Sequence, residues 1–213
     1  MIPEKTIFEE YLNKLDLPNI AQLMGQFEHY HSLLTEHNRQ VNLVSRKMPP
    51  QNYWIQHFLD SLLAVECLDF TDKTVLDFGS GGGLPGIPIK LVKPECELVL
   101  LDSIAKKTKV LMEMVEALSL HKIGVECARL EDYAFLARRP GFDIILCRAI
   151  ALQERYYSPL RRLLNPSGHL VMYKSRSVDD LEGIRFKEIL VREDEHLGMR
   201  RLLQIAQRDL MKR

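Results

Sequence analysis

Hydrophobic and polar positions change their spacing once along this chain, near residue 70. Before that point apolar side chains recur every three to five residues, which indicates helices. The positions that carry this pattern are Leu23, Phe27, Tyr30, Leu33 and Leu34, followed by Tyr53, Phe58, Leu62 and Val65. Pro18 and the run Met48-Pro49-Pro50 mark breaks, because proline interrupts a helix. We therefore predict separate helices between about Thr6 and Cys67.

From Thr74 onward, short β-rich runs alternate with helical runs. The predicted strands are Thr74–Phe78, Leu98–Leu101, Ile123–Ala128, Phe142–Cys147 and Leu170–Lys174. The predicted helices between them are Ile104–Leu118, Leu130–Ala137 and Gln153–Leu164. This alternation is typical of a parallel sheet joined by right-handed crossovers. The pattern therefore predicts an α/β fold.

The end of the chain follows a different pattern. Ile184–Arg192 and Arg200–Arg208 are two β-like runs, with Gly198 in the connection and no helix between them. We predict an antiparallel hairpin at the edge of the sheet. The predicted organisation is an N-terminal helical extension over residues 1–70, packed on a sheet domain over residues 71–213.

Composition sets limits on the class of protein. Of the 213 residues, 46% are hydrophobic, which is enough for a buried core and argues against a mainly disordered chain. Lysine plus arginine and aspartate plus glutamate number 29 each. A protein that binds nucleic acid over its whole surface is therefore not expected, whereas a local basic face remains possible.

The cellular setting is predicted from three absences in the sequence. Apolar runs fall well short of the ~18 residues that span a bilayer, and the N-terminus has no signal-peptide pattern. The cysteines, Cys67, Cys96, Cys127 and Cys147, contain no C-x-x-C pair. We expect reduced thiols, no zinc site and a cytoplasmic protein without a membrane partner. Separately, we expect a monomer.

A glycine-rich loop directly follows the first predicted strand. The sequence there is Val75-Leu76-Asp77-Phe78-Gly79-Ser80-Gly81-Gly82-Gly83-Leu84-Pro85-Gly86. Glycines allow a ligand to approach the main chain, although a tight turn without a ligand has the same letters. Asp102 ends the next strand, about 20 residues on, where a ribose diol is usually held. The pattern therefore fits a dinucleotide or an adenosyl cofactor.

Asp77 distinguishes between these two cofactor classes. It lies inside the strand, where a dinucleotide site usually has an apolar residue, and could approach an ammonium group directly or through water. S-adenosylmethionine carries an ammonium and NAD does not. Pro85 and Pro88 also remove amide donors where a helix N-terminus would bind phosphate. An NAD-dependent oxidoreductase and a non-catalytic RNA-binding protein on the same fold remain the alternatives.

The segment from Asp77 to Pro88 resembles the signature loop of the RsmG family, also called GidB. The similarity continues through Leu100-Leu101-Asp102-Ser103 with Lys106 and Lys107, through Arg148-Ala149, and to Lys174. Upstream, Val41-Asn42-Leu43-Val44-Ser45 and His57-Phe58-Leu59-Asp60-Ser61 are also similar to the family. Gly82 and Cys147 depart from it, since proline and serine are common at these positions.

This resemblance implies a Rossmann-like methyltransferase that uses S-adenosylmethionine to modify guanine N7 in small-subunit (16S) ribosomal RNA. It implies a cofactor pocket that includes Gly79, Leu84, Leu130, Glu131 and Arg148. The loop pattern adds Asp77, Gly81 and Asp102 as cofactor-binding candidates. An acidic residue just after the third strand could accept from an adenine amino group, but Glu131 could equally cap a helix.

Methyl transfer to N7 imposes few chemical demands. The atom carries a lone pair and no proton, so the reaction requires no general base. The thioether that leaves is neutral, so the reaction requires no metal. Arg148 could orient the guanine, hold a phosphate, or form a salt bridge with the cofactor carboxylate or with Asp77. Cys147 could be a nucleophile, but a buried strand thiol is usually inert packing.

The RNA-binding candidates are basic groups near the carboxyl ends of strands. We predict phosphate contacts by Arg129 and Lys174, with Lys106 and His57 as further candidates. His57 and Asp60 lie one helical turn apart, and either a structural hydrogen bond or a role towards the substrate fits this spacing. Other basic candidates are Lys107, Lys109, Arg138, Arg139, Arg155, Arg161, Arg162 and Arg176.

Overall fold

Helical segments precede the sheet in the computed structural model, which describes residues 3–137 and 141–211. They are α1 (Pro3–Lys14), α2 (Ile20–Asn38), a π-helical segment (Trp54–Leu59) and the short α3 (Asp60–Leu62) that continues it. Apart from four short 3-10 helices, the other elements are β1 (Thr74–Phe78), α4 (Gly86–Val92), β2 (Glu97–Asp102), α5 (Ala105–Ala117), β3 (Ile123–Cys127), α6 (Leu130–Leu136), β4 (Phe142–Arg148), α7 (Glu154–Leu163), β5 (Leu164–Lys174), β6 (Lys187–Asp194) and β7 (Gly198–Ala206). The candidates Arg138 and Arg139 lie outside the described residues.

Seven strands form one sheet in the order β3-β2-β1-β4-β5-β7-β6. The first five strands are parallel, whereas β7 runs antiparallel to both β5 and β6. This confirms the predicted mostly parallel sheet and its C-terminal antiparallel hairpin. The strand order reverses between β1 and β4, and a crevice at such a switch point is where open α/β sheets bind ligands.

The two faces of the sheet pack against different helices. In β1, Val75 lies in the apolar cluster that contains α1, α2, the π-helical segment, α4 and α5, while the next residue, Leu76, lies in the cluster that contains α6 and α7. Ile144 and Ile145 alternate between the same clusters in β4. Both faces are therefore covered, and the N-terminal helices share a core with the sheet. The division at residue 70 stays a prediction.

Several elements differ from the sequence prediction. In the C-terminal hairpin, β6 begins at Lys187 rather than Ile184, and Gly198 begins β7 instead of lying in the connection. The segment from Trp54 to Leu59 is π-helical, and five of its six residues are buried, so no polar face reveals the helical period. Strand β5 begins at Leu164, directly after α7, rather than at Leu170. Its early part pairs Phe142 with Leu164, and the register then shifts before Ile144 pairs with His169. The first residues of β5 are mostly polar, so the hydrophobic pattern did not predict a strand there.

Candidate active site

A cleft of about 530 Å³ lies at the carboxyl ends of β1, β2, β3 and β4. Six of the eight predicted cofactor residues line it, together with Arg129; the six are Gly79, Gly81, Asp102, Leu130, Glu131 and Arg148. Asp77 and Leu84 do not line the cleft: Asp77 is buried at the end of β1, and Leu84 is a loop residue whose side chain is buried in the core. The fold therefore brings most of the candidates to one crevice, as expected for strand ends at a switch point.

The glycine loop turns sharply out of β1. Gly79 has φ +77° and its amide donates to the Leu101 carbonyl at 2.8 Å. A Cβ atom at this position would lie only 2.1 Å from Cδ1 of Ile150. Glycine is thus required both by the left-handed backbone and by the side chain packed over it. This close packing places Ile150 in the wall of the cleft.

Asp102 joins the loop to the end of β2. Its Oδ2 accepts a hydrogen bond from the Gly81 amide at 3.0 Å, and its Oδ1 accepts from Ile104 at 2.9 Å. Nζ of Lys107 lies 4.0 Å from Oδ2. Each carboxylate oxygen has two lone pairs, so acceptor capacity remains for a hydroxyl pair in the cleft.

Asp77 is fully buried, with 0% of its surface exposed. Its Oδ2 accepts from the Gly86 amide at 2.9 Å, while Oδ1 has no hydrogen-bond partner in the described chain. Burial raises the pKa of this carboxyl to about 7, although the Gly86 hydrogen bond and the nearby charge of Arg148 act in the opposite direction. The carboxyl supports the loop from below, and it does not reach the cleft wall.

Arg148 pairs with Asp60 instead of Asp77. Its Nη1 lies 3.0 Å from Oδ2 of Asp60, and Nε of Arg200 donates to the other oxygen at 2.7 Å. Of the alternatives for Arg148, the salt bridge with Asp77 is therefore wrong. Asp60 and Arg200 are 140 residues apart in the sequence, so no local pattern predicted this cluster.

His57 belongs to the same buried cluster. The backbone amide of Asp60 donates to the His57 carbonyl, but the two side chains form no hydrogen bond with each other, and the Asp60 carboxylate accepts from Arg148 and Arg200 instead. Nδ1 of His57 lies 3.0 Å from the Gln56 carbonyl, and its Nε2 has no partner in the described chain. Burial and the neighbouring Arg148 lower the pKa of His57 to about 3. The imidazole is therefore neutral at physiological pH.

The adenine-side candidates lie at the start of α6. Leu130 is buried in the cleft wall, and Oε1 of Glu131 lies 3.7 Å from Nε of Arg155. Arg155 in turn lies over the ring of Tyr156, 4.8 Å from its centre. Tyr156, Ile104 and Leu43 also line the cleft, and no sequence pattern predicted this. Only their spatial positions identify them.

The basic candidates are in different environments. Arg129 is exposed at the cleft, and it forms no ion pair within the described residues. Lys106 is exposed outside the cleft wall, whereas its neighbour Lys107 lines it. The Lys174 ammonium pairs with Asp180, and only 12% of the Lys174 side chain is exposed. Arg129 is therefore the cation most available to a ligand at the cleft.

Cys147 is buried under the cleft. Burial raises the pKa of its thiol to about 12, despite the opposing charge of Lys174. A thiol in this state is protonated and unreactive at neutral pH, which supports packing rather than nucleophilic catalysis.

Across residues 3–137 and 141–211, no group of three histidine, cysteine or acidic side chains could hold a metal ion. Within the same ranges no helix has the length and apolar character needed to cross a membrane.

Solved structures share this fold, and one of them is named as a methyltransferase. The chain superposes on a SAM-dependent methyltransferase from Aquifex aeolicus with a TM-score of 0.56 and 18% identity, over 72% of this chain and 93% of that one. The YcgJ protein from Bacillus subtilis gives a TM-score of 0.52 and 11% identity, over 70% and 96% of the two chains. At these identities the likeness shows the fold alone.

Sequence comparison identifies the family. A ribosomal RNA small subunit methyltransferase G from Nitrosococcus oceani is 39% identical over 174 residues, which are 80% of this chain and 76% of that protein. The protein of the same name from Lachnoclostridium phytofermentans is 33% identical over 83% of this chain and 74% of its own. The family model described as GidB, rRNA small subunit methyltransferase G, matches residues 23–210. The chain therefore belongs to the rRNA small subunit methyltransferase G (GidB) family.

Proposed function

We propose that this protein transfers a methyl group from S-adenosylmethionine to guanine N7 of small-subunit (16S) ribosomal RNA. The observation that carries the proposal is the glycine loop held against Asp102 in a cleft at the β1/β4 switch point. Membership of the rRNA small subunit methyltransferase G family supplies the substrate class.

The cleft fits the cofactor in size and chemistry. Its volume of about 530 Å³ lies within the range of small-molecule sites, roughly 300–1,000 Å³. In this proposal Asp102 accepts from the ribose hydroxyls, Glu131 accepts from the adenine amino group, and Arg148 holds the carboxylate of the methionine portion. Gly79 and Gly81 leave the main chain open to the ligand.

Asp77 and Leu84 support this site from below. Because Asp77 is fully buried, its role in the proposal is to hold the loop through Gly86 rather than to contact the ammonium directly. Leu84 is 4% exposed and packs in the apolar core beneath the same loop. Both residues therefore shape the cofactor site without forming its surface.

The reaction makes orientation the main task of the protein. When bound, S-adenosylmethionine supplies a methyl carbon on a positively charged sulfur, which leaves as a neutral thioether. Guanine N7 has no proton to remove, so no side chain has to act as a general base. Holding two reactants in line contributes roughly 7–11 kcal/mol to catalysis. In this proposal the ion pair of Arg148 with Asp60 sets the direction of the arginine side chain beside the cleft.

Ribosomal RNA carries a phosphate backbone, and basic groups near the cleft are placed to meet it. Arg129 and Lys106 are exposed and are assigned to phosphates. His57 is 8% exposed, so we assign to it a role in packing around Arg148 rather than an RNA contact. We further propose that the protein acts as a monomer in the cytoplasm.

The rival functions lack support. An NAD-dependent oxidoreductase would need amide donors for a pyrophosphate at the start of α4, where Pro85 and Pro88 stand. A non-catalytic RNA-binding protein would not need the loop, Asp102 and the cleft to be retained together. The family match favours neither rival.

The test is methylation of small-subunit RNA from a strain that lacks the endogenous enzyme. The purified protein, labelled S-adenosylmethionine and either naked RNA or assembled subunits are combined, and N7-methylguanosine is mapped by reduction and aniline cleavage. We expect one methylated guanine, and calorimetry should show binding of S-adenosylmethionine but not of NAD. Methylation at another atom, or binding of NAD alone, would contradict the proposal.

A further inference from the structure

A second cavity of about 430 Å³ lies beside the cleft and shares two wall residues with it. Ala149 and Ile150, which follow β4, line both spaces. Ala149 has φ 61°, a left-handed conformation that residues with a side chain rarely adopt. Backbone strain of this kind is retained where the surrounding structure requires it, commonly at functional sites. The strained turn therefore separates two adjoining spaces, one of which is the proposed cofactor site.

The second cavity is lined by groups that can hydrogen-bond to a base edge. Its polar wall consists of Lys174, Ser175, Ser177, Asp179 and Asp180. Oδ2 of Asp180 accepts from the Leu152 amide at 2.7 Å and also from the Lys174 ammonium. Because both contacts use Oδ2, Oδ1 keeps its acceptor capacity. The Leu152 contact also anchors the turn that divides the two cavities.

The carboxyl of Asp180 is ionised at neutral pH. Burial raises its pKa, but the hydrogen bonds from Lys174 and Leu152 outweigh burial, and the pKa lies below its ordinary value. Lys174 has three donors, of which Asp180 uses one. The cavity thus offers an anionic acceptor and a cationic donor held side by side.

We propose that the second cavity receives the acceptor guanine, with Asp180 accepting from its N1–H and 2-amino groups and Lys174 donating to O6. This inference rests on the proposed function. Guanine carries N1–H and the 2-amino group on the pyrimidine side of the purine and N7 on the imidazole side. A base bound to the carboxylate by the first edge turns N7 away from it, and the proposal places the shared wall and the cofactor cleft on that side.

The arrangement also gives a reason for base selectivity. Adenine presents an unprotonated N1 to the Asp180 carboxylate, so two hydrogen-bond acceptors face each other. Its 6-amino group, a donor, faces the Lys174 ammonium, which is also only a donor. Enzymes that act on a base read its Watson–Crick edge after it has left the stack. The pair of Asp180 and Lys174 matches guanine at this edge and mismatches adenine.

The experiment replaces the target guanosine by inosine, which lacks only the 2-amino group. Once the methylated position has been mapped, single-turnover rates are measured on RNA with guanosine or inosine there. We expect the wild-type protein to be about tenfold or more faster on guanosine, since a hydrogen bond to a charged group is lost. In Asp180→Asn this preference should fall to about twofold or less, with S-adenosylmethionine affinity unchanged.

Two matched variants separate recognition from general damage. Glu182→Gln removes the same charge at a nearby exposed site and should keep the wild-type preference. Lys174→Met should slow both RNAs while keeping the preference, because both bases carry O6. Equal wild-type rates on the two RNAs, or an unchanged preference in Asp180→Asn, would overturn the assignment. If Asp180→Asn is inactive, the ratio of the wild-type rates on guanosine and inosine RNA is the deciding measurement, and equal rates would still overturn the assignment.

The outcomes also distinguish this inference from the proposed function. A wild-type protein that methylates guanine N7 without any guanosine preference refutes only the base-recognition site. A wild-type protein that transfers no methyl group to the RNA refutes the proposed function and this inference together.

Discussion

The guanidinium of Arg148, at the end of β4, donates to the carboxylate of Asp60 in α3 across 3.0 Å between Nη1 and Oδ2. Arg200 in β7 occupies the other carboxylate oxygen. Three segments far apart in sequence therefore meet at one carboxylate beside the cleft. The direction of the Arg148 side chain depends on the N-terminal helical region as well as on the sheet.

Replacing Asp60 should destabilise the protein strongly. Asp60→Ala leaves two partly buried arginines without their counter-ion, and breaking such a pair typically costs roughly 3–5 kcal/mol. We expect a decrease of that order in the free energy of unfolding measured with urea. Glu10→Ala, at an exposed position of α1, is the control and should change stability little. Equal midpoints for both variants would show that the cluster contributes no net stability.

Asp102→Ala should weaken the binding of S-adenosylmethionine by roughly 1–3 kcal/mol, because charge-assisted hydrogen bonds to the ribose are lost. Isothermal calorimetry measures the change directly. Asp132→Ala removes the same group from an exposed position at the start of α6 and should leave the affinity unchanged. Unaltered affinity in Asp102→Ala would remove the ribose role from this residue.

The buried carboxyl of Asp77 predicts a specific pH dependence of stability. Its pKa is about 7 in the folded protein, against the ordinary 3.8. The folded state therefore binds this proton more tightly than the unfolded state, so the stabilising contribution is complete below about pH 4 and is lost as pH rises towards 7. Asp77→Asn keeps an uncharged acceptor for the Gly86 amide and removes this titration.

The measurement is the urea midpoint of wild type and Asp77→Asn between pH 4 and pH 8. Relative to the variant, the wild-type protein should lose stability across this range and change little above it. Asp132→Asn should give a profile parallel to the wild type. Parallel profiles for wild type and Asp77→Asn would mean that Asp77 does not titrate in this window.

Gly79→Ala should destabilise the glycine loop for two physical reasons, backbone strain and a steric clash, which a second substitution can separate. The left-handed backbone costs about 1–2 kcal/mol for a residue with a side chain, and the new Cβ would lie 2.1 Å from Cδ1 of Ile150. Ile150→Val removes Cδ1, so the double variant should recover the steric part of the loss. Gly25→Ala is the control: it lies in α2 with no atom within 4 Å, and it should stabilise the protein by about 0.5–1 kcal/mol.

Arg129→Ala should weaken RNA binding without changing cofactor affinity. Loss of one phosphate contact lowers the slope of log affinity against log salt by about one unit. The measurement pairs an RNA titration across a salt series with calorimetry of the cofactor alone. Lys14→Ala, on a helix that contributes no residue to the cleft, should keep the wild-type slope. If Arg129→Ala loses cofactor affinity and keeps the slope, Arg129 belongs to the cofactor pocket.

Periodicity alone determined the order of the elements. Strands β1 to β4 and helices α5 to α7 lie within one or two residues of their predicted bounds, because short apolar runs of buried strands and the three-to-four-residue spacing of half-buried helices are different patterns in the sequence. The loop from Gly79 to Gly86 and the carboxylate at Asp102 were also readable, since backbone conformation and strand-end chemistry are local properties. The family resemblance rested on these same residues.

Tertiary structure decided how the charged residues pair and which of them reach the cleft. Nothing local places Arg200 beside Asp60, or Lys174 beside Asp180 rather than at a phosphate. Nor does the sequence show that Asp77 is sealed beneath the loop while Asp102, at the end of the neighbouring strand, lines the cleft. Side-chain pairing depends on the order of strands in the sheet and on the packing of distant helices. Such contacts join residues far apart in the chain, and no periodic pattern in the sequence predicts them.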